Sequence, residues 1–209
     1  LGGIQNSGTN NDLRLVANGE IVLADTELSR AGATFFNTVE KFGVGTFRVI
    51  SSNSTEVIDQ TTDGLLIRQG TVVVEDNGTW RSRVFLDVGS TLRLDNTNVN
   101  AANGRMSTTG TFKNITFRGG RLEFIGSTNG GNSNEGFLDT TFLKGFSVIS
   151  LRSQSLGQTV LTFRGAAWGN NAPDQTTSAP GVSMLFHGVG LAPLAGRASV
   201  QFTNAPTFS

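Results

Sequence analysis

Short runs in which apolar and polar residues alternate follow one another along most of the chain. Each run is three to six residues long, and Gly, Asn, Asp or Ser residues separate it from the next run. The runs cover residues 13–16, 20–23, 46–50, 65–68, 71–75, 84–88, 91–94, 115–117, 121–125, 146–151, 160–163, 184–186 and 200–202. Strands of this length with turn residues between them predict an all-β fold.

Helical periodicity is almost absent, because few windows place apolar residues three and four positions apart over ten or more residues. The segment 26–39 is the least strand-like, and a short helical turn is expected there. Asn-Gly pairs at residues 18, 77, 103 and 129 indicate tight turns.

A tandem signal suggests how the strands are arranged. Gly-Thr, or a close variant, precedes a strand at Gly45-Thr46, Gly70-Thr71, Ser90-Thr91 and Gly110-Thr111, and Gly119-Gly120-Arg121 opens a further one. The intervals are about 20–25 residues, a length that suits one coil of a solenoid whose stacked repeats share a narrow core. The pattern predicts a single β-solenoid domain over 1–209. An antiparallel sandwich or jelly roll is the alternative, because Asn-Gly turns also suit hairpins.

Residues 41–49 (KFGVGTFRV) form the most distinctive motif, and 65–74 (LLIRQGTVVV) follow as a strand, a Gly-Thr and a second strand. Together they resemble the autotransporter-associated β-strand repeat of large bacterial surface proteins. The best repeat unit is 41–76, and 160–209 read like the terminal coils after such repeats. The Asn-Thr-Tyr-Thr-Gly segment of the repeat is only echoed, by Asn53-Ser54-Thr55 without a Tyr.

The resemblance implies a right-handed parallel β-helix, export from the cell and an extracellular or cell-surface location. It implies no catalytic residues and no cofactor. We expect the chain to be a fragment of a longer exported protein.

Composition narrows the partners. Sixteen basic and sixteen acidic residues give a formal net charge of zero, which argues against electrostatic capture of nucleic acid and favours self-association. There is no cysteine, so disulfides and cysteine-based zinc sites are excluded. No apolar run approaches the roughly 20 residues of a membrane helix, so no membrane span is expected in this chain.

Acidic and basic residues on neighbouring coils could align as a glycoside hydrolase or uronate lyase site, because such chemistry needs clustered carboxylates beside a base. The candidates are Glu75, Asp76, Asp87 and Asp95, with Arg68, Arg81 and Arg93. Outward polar residues of a solvated sheet have the same composition, so no catalytic residue is assigned.

Further residues were weighed as ligands. His187 is the single histidine, at the end of a strand, and a structural role is expected for it. Calcium could bind at 76–78 or 95–96, but no metal site is assigned. The loop 129–134 is expected to be an excursion from a coil, and Trp80 and Trp168 form a poor sugar-stacking platform. Phenylalanines are expected to form a buried ladder, at positions 35, 36, 47, 85, 112, 117, 124, 137, 142, 146 and 163.

The function expected from the sequence is structural or adhesive, as a segment of a secreted or surface stalk, adhesin or fibre, and not enzymatic. Its partners would be further copies, stacked end to end through the first and last coils, or a surface glycan or matrix component. The alternative is a carbohydrate-active β-helix enzyme or a carbohydrate-binding module.

Overall fold

The structure is a computed structural model that describes residues 13–24, 36–51, 58–59, 61–99, 104–106, 113–168, 182–189, 197–204 and 207–208. Its regular elements are strands. They are β1 Leu13–Val16, β2 Glu20–Ala24, β3 Phe36–Phe42, β4 Thr46–Ser51, β5 Ile58–Asp59, β6 Thr61–Ile67, β7 Gly70–Asp76, β8 Trp80–Arg81, β9 Val84–Asp87, β10 Ser90–Asp95, β11 Lys113–Arg118, β12 Arg121–Ile125, β13 Ser133–Phe142, β14 Phe146–Arg152, β15 Thr159–Trp168, β16 Ser183–Val189, β17 Ala198–Phe202 and β18 Thr207–Phe208.

The chain alternates between two large sheets. The first sheet has the order β1-β3-β6-β9-β11-β13-β15-β17, with β18 also paired to β15, and the second has the order β2-β4-β7-β10-β12-β14-β16. Every ladder between these strands is parallel. Parallel neighbours that alternate between two sheets define stacked coils, so the predicted solenoid-like all-β fold is confirmed. The antiparallel sandwich is wrong for the described strands, since each ladder there is parallel.

One coil consists of a first-sheet strand, a tight corner, the next second-sheet strand and a longer connection back to the first sheet. The described tight corners are two or three residues long, at 17–19, 43–45, 68–69, 88–89, 119–120 and 143–145. Asn18-Gly19 therefore turns the chain from one sheet into the other instead of closing a hairpin.

The core is a set of columns in which the inward residues of successive coils lie on one another. In the second sheet, one column contains Ile21, Phe47, Val72, Leu92, Leu122, Ile149 and Phe186. The neighbouring column contains Leu23, Val49, Val74, Leu94, Phe124, Leu151 and Gly188. Alternate residues point inward because side chains alternate across a strand, so the period of two in the sequence produces one continuous apolar interior.

The Gly-Thr signal marks the start of second-sheet strands. Thr46, Thr71 and Thr91 lie beside one another in register at the outer face, and Arg121 takes the same place in the next coil. Gly110-Thr111 lies outside the described residues. Coil lengths vary more than predicted, from 20 residues between Thr71 and Thr91 to 37 between Val148 and Leu185. The tight corners are nearly constant, so the longer connections carry the variation.

Two segments differ from the sequence prediction. Phe36–Phe42 is a strand where part of a helical turn was expected, and residues 26–35 of that segment lie outside the described residues. Ser133–Phe142 is a ten-residue strand that the apolar pattern did not reveal. Its inward positions include Ser133, Glu135 and Thr140, which are buried polar residues and break the apolar alternation.

The phenylalanine ladder is confirmed in part. Phe117 stacks on Phe142 with ring centroids 4.9 Å apart, and Phe163 contacts both Phe137 and Phe202 at 6.0 and 5.5 Å. Such pairs add about 0.5–1.5 kcal/mol each beyond the burial of apolar area. Phe146 is exposed at a tight corner, and the side chains of residues 35, 36 and 112 lie outside the described part.

Candidate functional site

The acidic and basic candidates lie on the walls of the solenoid, where most of them pair with a neighbouring coil. Arg48 bridges the first three coils, because it binds Glu75 and also donates to Glu20 at 3.2 Å. Arg93 donates to Glu123 at 2.7 Å in the next coil. These pairs join side chains whose strands are adjacent in the second sheet. The carboxylates are thereby committed to holding coils together.

Asp87 lies at the opposite edge of the second sheet from Glu75 and Asp95. Arg68 donates to Asp87 at 2.9 Å and to Glu40 at 2.8 Å, so it links three coils of the first sheet. The guanidinium of Arg118 lies 4.0 Å from Asp87. The structure therefore separates Asp87 from the other acidic candidates, and the side chain of Arg81 lies outside the described part.

Glu75 and Asp95 are neighbours in register on the outer face of the second sheet. Glu75 is 9% exposed and accepts from Arg48, while Asp95 accepts from the backbone N–H of Thr97 at 3.0 Å. A general acid needs access to substrate and a transferable proton. Neither carboxylate meets both requirements in this arrangement.

The two segments weighed as calcium sites meet around a buried arginine. The Arg105 guanidinium donates to the carbonyl oxygens of Asp76, of Gly78 at 2.8 Å and of Asp95 at 3.1 Å, and to the side-chain oxygen of Asn96. Arg105 is 3% exposed, and burial lowers the pKa of its guanidinium to about 10. The oxygen atoms that a calcium ion would use are thus occupied by a cation of the chain itself.

Glu135 is the buried carboxylate of the same region. Its oxygens accept from the backbone N–H of Met106 at 3.2 Å and of Gly136 at 3.0 Å. Removal from water raises the pKa of the Glu135 carboxyl to about 7, although these N–H groups and the charge of Arg105 act in the opposite direction. Sequence reasoning missed both residues, since neither belongs to a recognisable motif.

A second buried cation closes the tight corner of the 41–49 motif. Lys41 lies in a core column between Leu15 and Ile67, where an apolar residue would be expected. Its Nζ donates to the carbonyl oxygens of Phe42 at 2.9 Å, Gly43 at 2.7 Å and Gln69 at 3.2 Å. Lys41 is completely buried, and desolvation lowers the pKa of its ammonium group. The ammonium therefore satisfies the corner carbonyls of two successive coils.

The glycines of this motif have a steric reason. A Cβ on Gly45 would lie 1.9 Å from the carbonyl oxygen of Gly19 in the preceding coil, and Gly43 has a φ of +79°. Lysine and both glycines are therefore required by close stacking of corners, and none of them is required by a reaction.

The remaining candidates do not converge. His187 is exposed on the outer face of β16, and its Nδ1 lies 3.4 Å from the Ser150 hydroxyl. Trp80 is completely buried, contacts Phe47 edge to face at 6.2 Å and donates from Nε1 to Ser82 at 2.6 Å. The Trp168 side chain lies outside the described part.

The loop 129–134 belongs to the stacked wall and is not an excursion. Asn132 accepts from the backbone N–H of Gln158 in the following coil at 2.9 Å, and a Cβ on Gly157 would lie 2.1 Å from the Gly131 carbonyl oxygen. The expected excursion is wrong here because the neighbouring connections stack as closely as the strands.

Two searches of the described residues returned nothing. Among them there is no group of three or more His, Cys, Asp or Glu side chains that could hold a metal ion. The same residues contain no helix long and apolar enough to cross a membrane.

Fold and site together define a β-solenoid-like protein whose buried cations and outer ion pairs join successive coils. No protein-family model matches the chain, and no curated protein or solved structure shows significant similarity to it.

Proposed function

We propose that this chain is a structural segment of a secreted or cell-surface bacterial β-solenoid, serving as a stalk or adhesin shaft. The observation that carries the proposal is the use of charge. Arg48, Arg68, Arg93, Lys41 and Arg105 all bind groups of other coils or corners. Charged groups spent on linking coils serve the stiffness of a rod and leave no described cluster for catalysis.

We further propose that the solenoid is right-handed and related to the autotransporter-associated β-strand repeat. A connection between parallel strands of one sheet is right-handed in nearly all proteins. The stacked corner of Lys41, Gly43 and Gly45 gives a physical reason for the motif on which the resemblance depends. Export and surface location follow from that relationship and belong to the proposal.

The experiment is to label intact cells of the source organism with antibodies against the purified chain, and to repeat the labelling after mild surface proteolysis. The proposal predicts labelling of unpermeabilised cells that proteolysis removes. Labelling that requires permeabilisation would contradict it.

A parallel assay of polysaccharide cleavage tests the enzyme alternative. The proposal predicts no activity on acidic or neutral polysaccharides. Activity that Glu75→Gln or Asp95→Asn abolishes, with folding intact, would replace the stalk by a carbohydrate-active enzyme.

A further inference from the structure

The C-terminal end of the solenoid is stepped. Strands β17 and β18 add a layer to the first sheet on top of β15, whereas the second sheet ends at β16 among the described residues. The edge of β16 is therefore one layer lower than the neighbouring edge of the first sheet. This step limits what can pack against the end.

Direct stacking of the first coil of a second copy on this end does not fill the step. If β1 of the second copy extended the first sheet above β17, its β2 would lie one strand spacing too high above β16. A gap of one strand, about 4.8 Å, would remain in the second sheet. The head-to-tail stacking expected from the sequence is thus poorly matched to the described ends.

Two C-terminal ends fit each other. A two-fold axis perpendicular to the solenoid, through the tight corners, exchanges the positions of the two sheets. The protruding β17 of one copy then occupies the slot above β16 of its partner, and the same contact is repeated on the other side. Because strands of the two sheets run in opposite senses around the coil, this operation makes the pairs antiparallel. A contact of this kind is isologous and closes as a dimer.

The residues of these two strands suit such a contact. Neither β16 (SMLFHGV) nor β17 (ASVQF) contains a charged residue, whereas the N-terminal strands carry Arg14 in β1 and Glu20 in β2. Charged side chains are a common protection of free sheet edges, and here they are missing.

Apolar groups are left open at the same place. Phe186 ends a core column yet is 42% exposed, and Leu185 beside it is 47% exposed. On the inner side of β17, Val200 and Phe202 are only partly buried against the core. Gly188 ends the other column without a side chain and leaves room for an apolar residue of an incoming strand.

We propose that the C-terminal end is a homodimer interface in which β16 of each copy pairs with β17 of the other. The inference goes beyond the proposed function: it depends on the geometry of the end, and it holds or fails whatever the location of the protein in the cell.

The test is the mass of the purified chain in solution, measured by light scattering and sedimentation across a concentration series. The proposal predicts a dimer of twice the 22.1 kDa chain mass at micromolar concentration. A chain that stays monomeric to several hundred micromolar would overturn it.

Charge variants locate the contact. Leu185 and Gln201 point outward on the two pairing strands, so lysine at both positions leaves the core unchanged. Leu185→Lys with Gln201→Lys should raise the dimer dissociation constant at least 100-fold, and Leu185→Lys with Gln201→Glu should restore dimerisation. A dimer that is indifferent to both pairs of changes would overturn the proposal.

The control is Val22→Lys on β2, at the opposite end, where Val22 is 48% exposed. This change should leave the dimer intact. If Val22→Lys breaks the dimer, association uses the N-terminal end and the proposal is wrong. Unchanged melting temperatures in all variants would separate loss of the contact from loss of the fold.

Discussion

Two corners of this solenoid are closed by a buried cation, and they differ in what surrounds it. At the tight corner after β3, the ammonium of Lys41 meets only backbone carbonyls, those of Phe42, Gly43 and Gln69. In the long connection after β10, Arg105 binds three carbonyls and an amide oxygen, and the buried carboxylate of Glu135 lies in the same region. Both cations bind carbonyls that come from two successive coils.

The difference follows from the length of the chain at each place. A tight corner of three residues exposes few carbonyls, and a single point charge with three donors satisfies them. The longer connection buries several turn carbonyls at different angles, which a planar guanidinium with five donors can reach together. A second buried ionisable group is tolerated only there, and it makes that region sensitive to pH.

The largest expected effect is the loss of the Arg105 guanidinium. Arg105→Met leaves at least four buried acceptors without their donor, which we expect to lower the free energy of unfolding by about 4–5 kcal/mol. Chemical denaturation measures it, with the exposed Arg164→Met as the matched control. Equal stability of the two variants would show that the guanidinium does not hold the connection.

The tight corner should be somewhat less sensitive. Lys41→Met keeps the length of the side chain and removes its donors, so three carbonyls lose their partner, at a cost of about 3–4 kcal/mol. Lys144→Met, at an exposed corner position, is the control in the same denaturation experiment. A stabilised Lys41→Met protein would mean that burial of the charge costs more than its hydrogen bonds return.

The pH dependence of stability separates the two corners. Burial raises the pKa of Glu135 from 4.5 to about 7, so between these values the unfolded chain releases a proton that the folded chain keeps. The contribution of Glu135 to stability is therefore fully present below pH 4.5 and is lost as pH rises through 7, by about 3 kcal/mol in total.

Denaturation at pH 4.5 and pH 8 measures this loss. Glu135→Gln should flatten the profile between those values, whereas Glu123→Gln, in an outer ion pair, should leave its slope unchanged. A Glu135→Gln profile that still falls across the same window would assign the pH dependence to another group.

The steric requirement of the tight corner gives a smaller effect. Gly45→Ala forces a shift against the Gly19 carbonyl and should cost about 2 kcal/mol. Gly19→Ala places its Cβ where nothing lies within 4 Å and serves as the control for the loss of a glycine. Thermal unfolding compares them, and equal melting temperatures would contradict close stacking of the corners.

The smallest effect should come from the outer wall. Arg48→Met breaks pairs with Glu20 and Glu75, but Arg48 and Glu20 are 37% and 53% exposed and are screened by water. We expect a loss below about 1 kcal/mol that shrinks further at high salt. A loss as large as that of Lys41→Met would place the outer pairs among the main supports of the fold.

The sequence predicted the strands because their alternation has a direct physical cause, the packing of one face into a narrow core. Runs such as 71–75 and 121–125 lie inside β7 and β12. The strand Ser133–Phe142 could not be found in this way, since Glu135 and Thr140 point inward and only tertiary hydrogen bonding makes the former tolerable.

The two buried cations illustrate the same limit. Lys41 stood in a recognisable motif, yet its partner Gln69 is 28 residues away and belongs to the next coil. Arg105 reaches Gly78 across 27 residues, a pairing that depends on the uneven lengths of the connections. Register between coils, and not local pattern, decides which charges meet.

The central claim is that successive coils stack in parallel register, and distances between spin labels along one outer column test it most directly. Glu20, Arg121, Val148 and Leu185 lie in one such column, and the chain has no native cysteine to interfere. Labels on cysteines placed at residue 20 and at each of the other three positions should show distances that increase by about 4.8 Å per coil, to about 29 Å across the six steps to residue 185. Distances that do not increase in this order would contradict the solenoid.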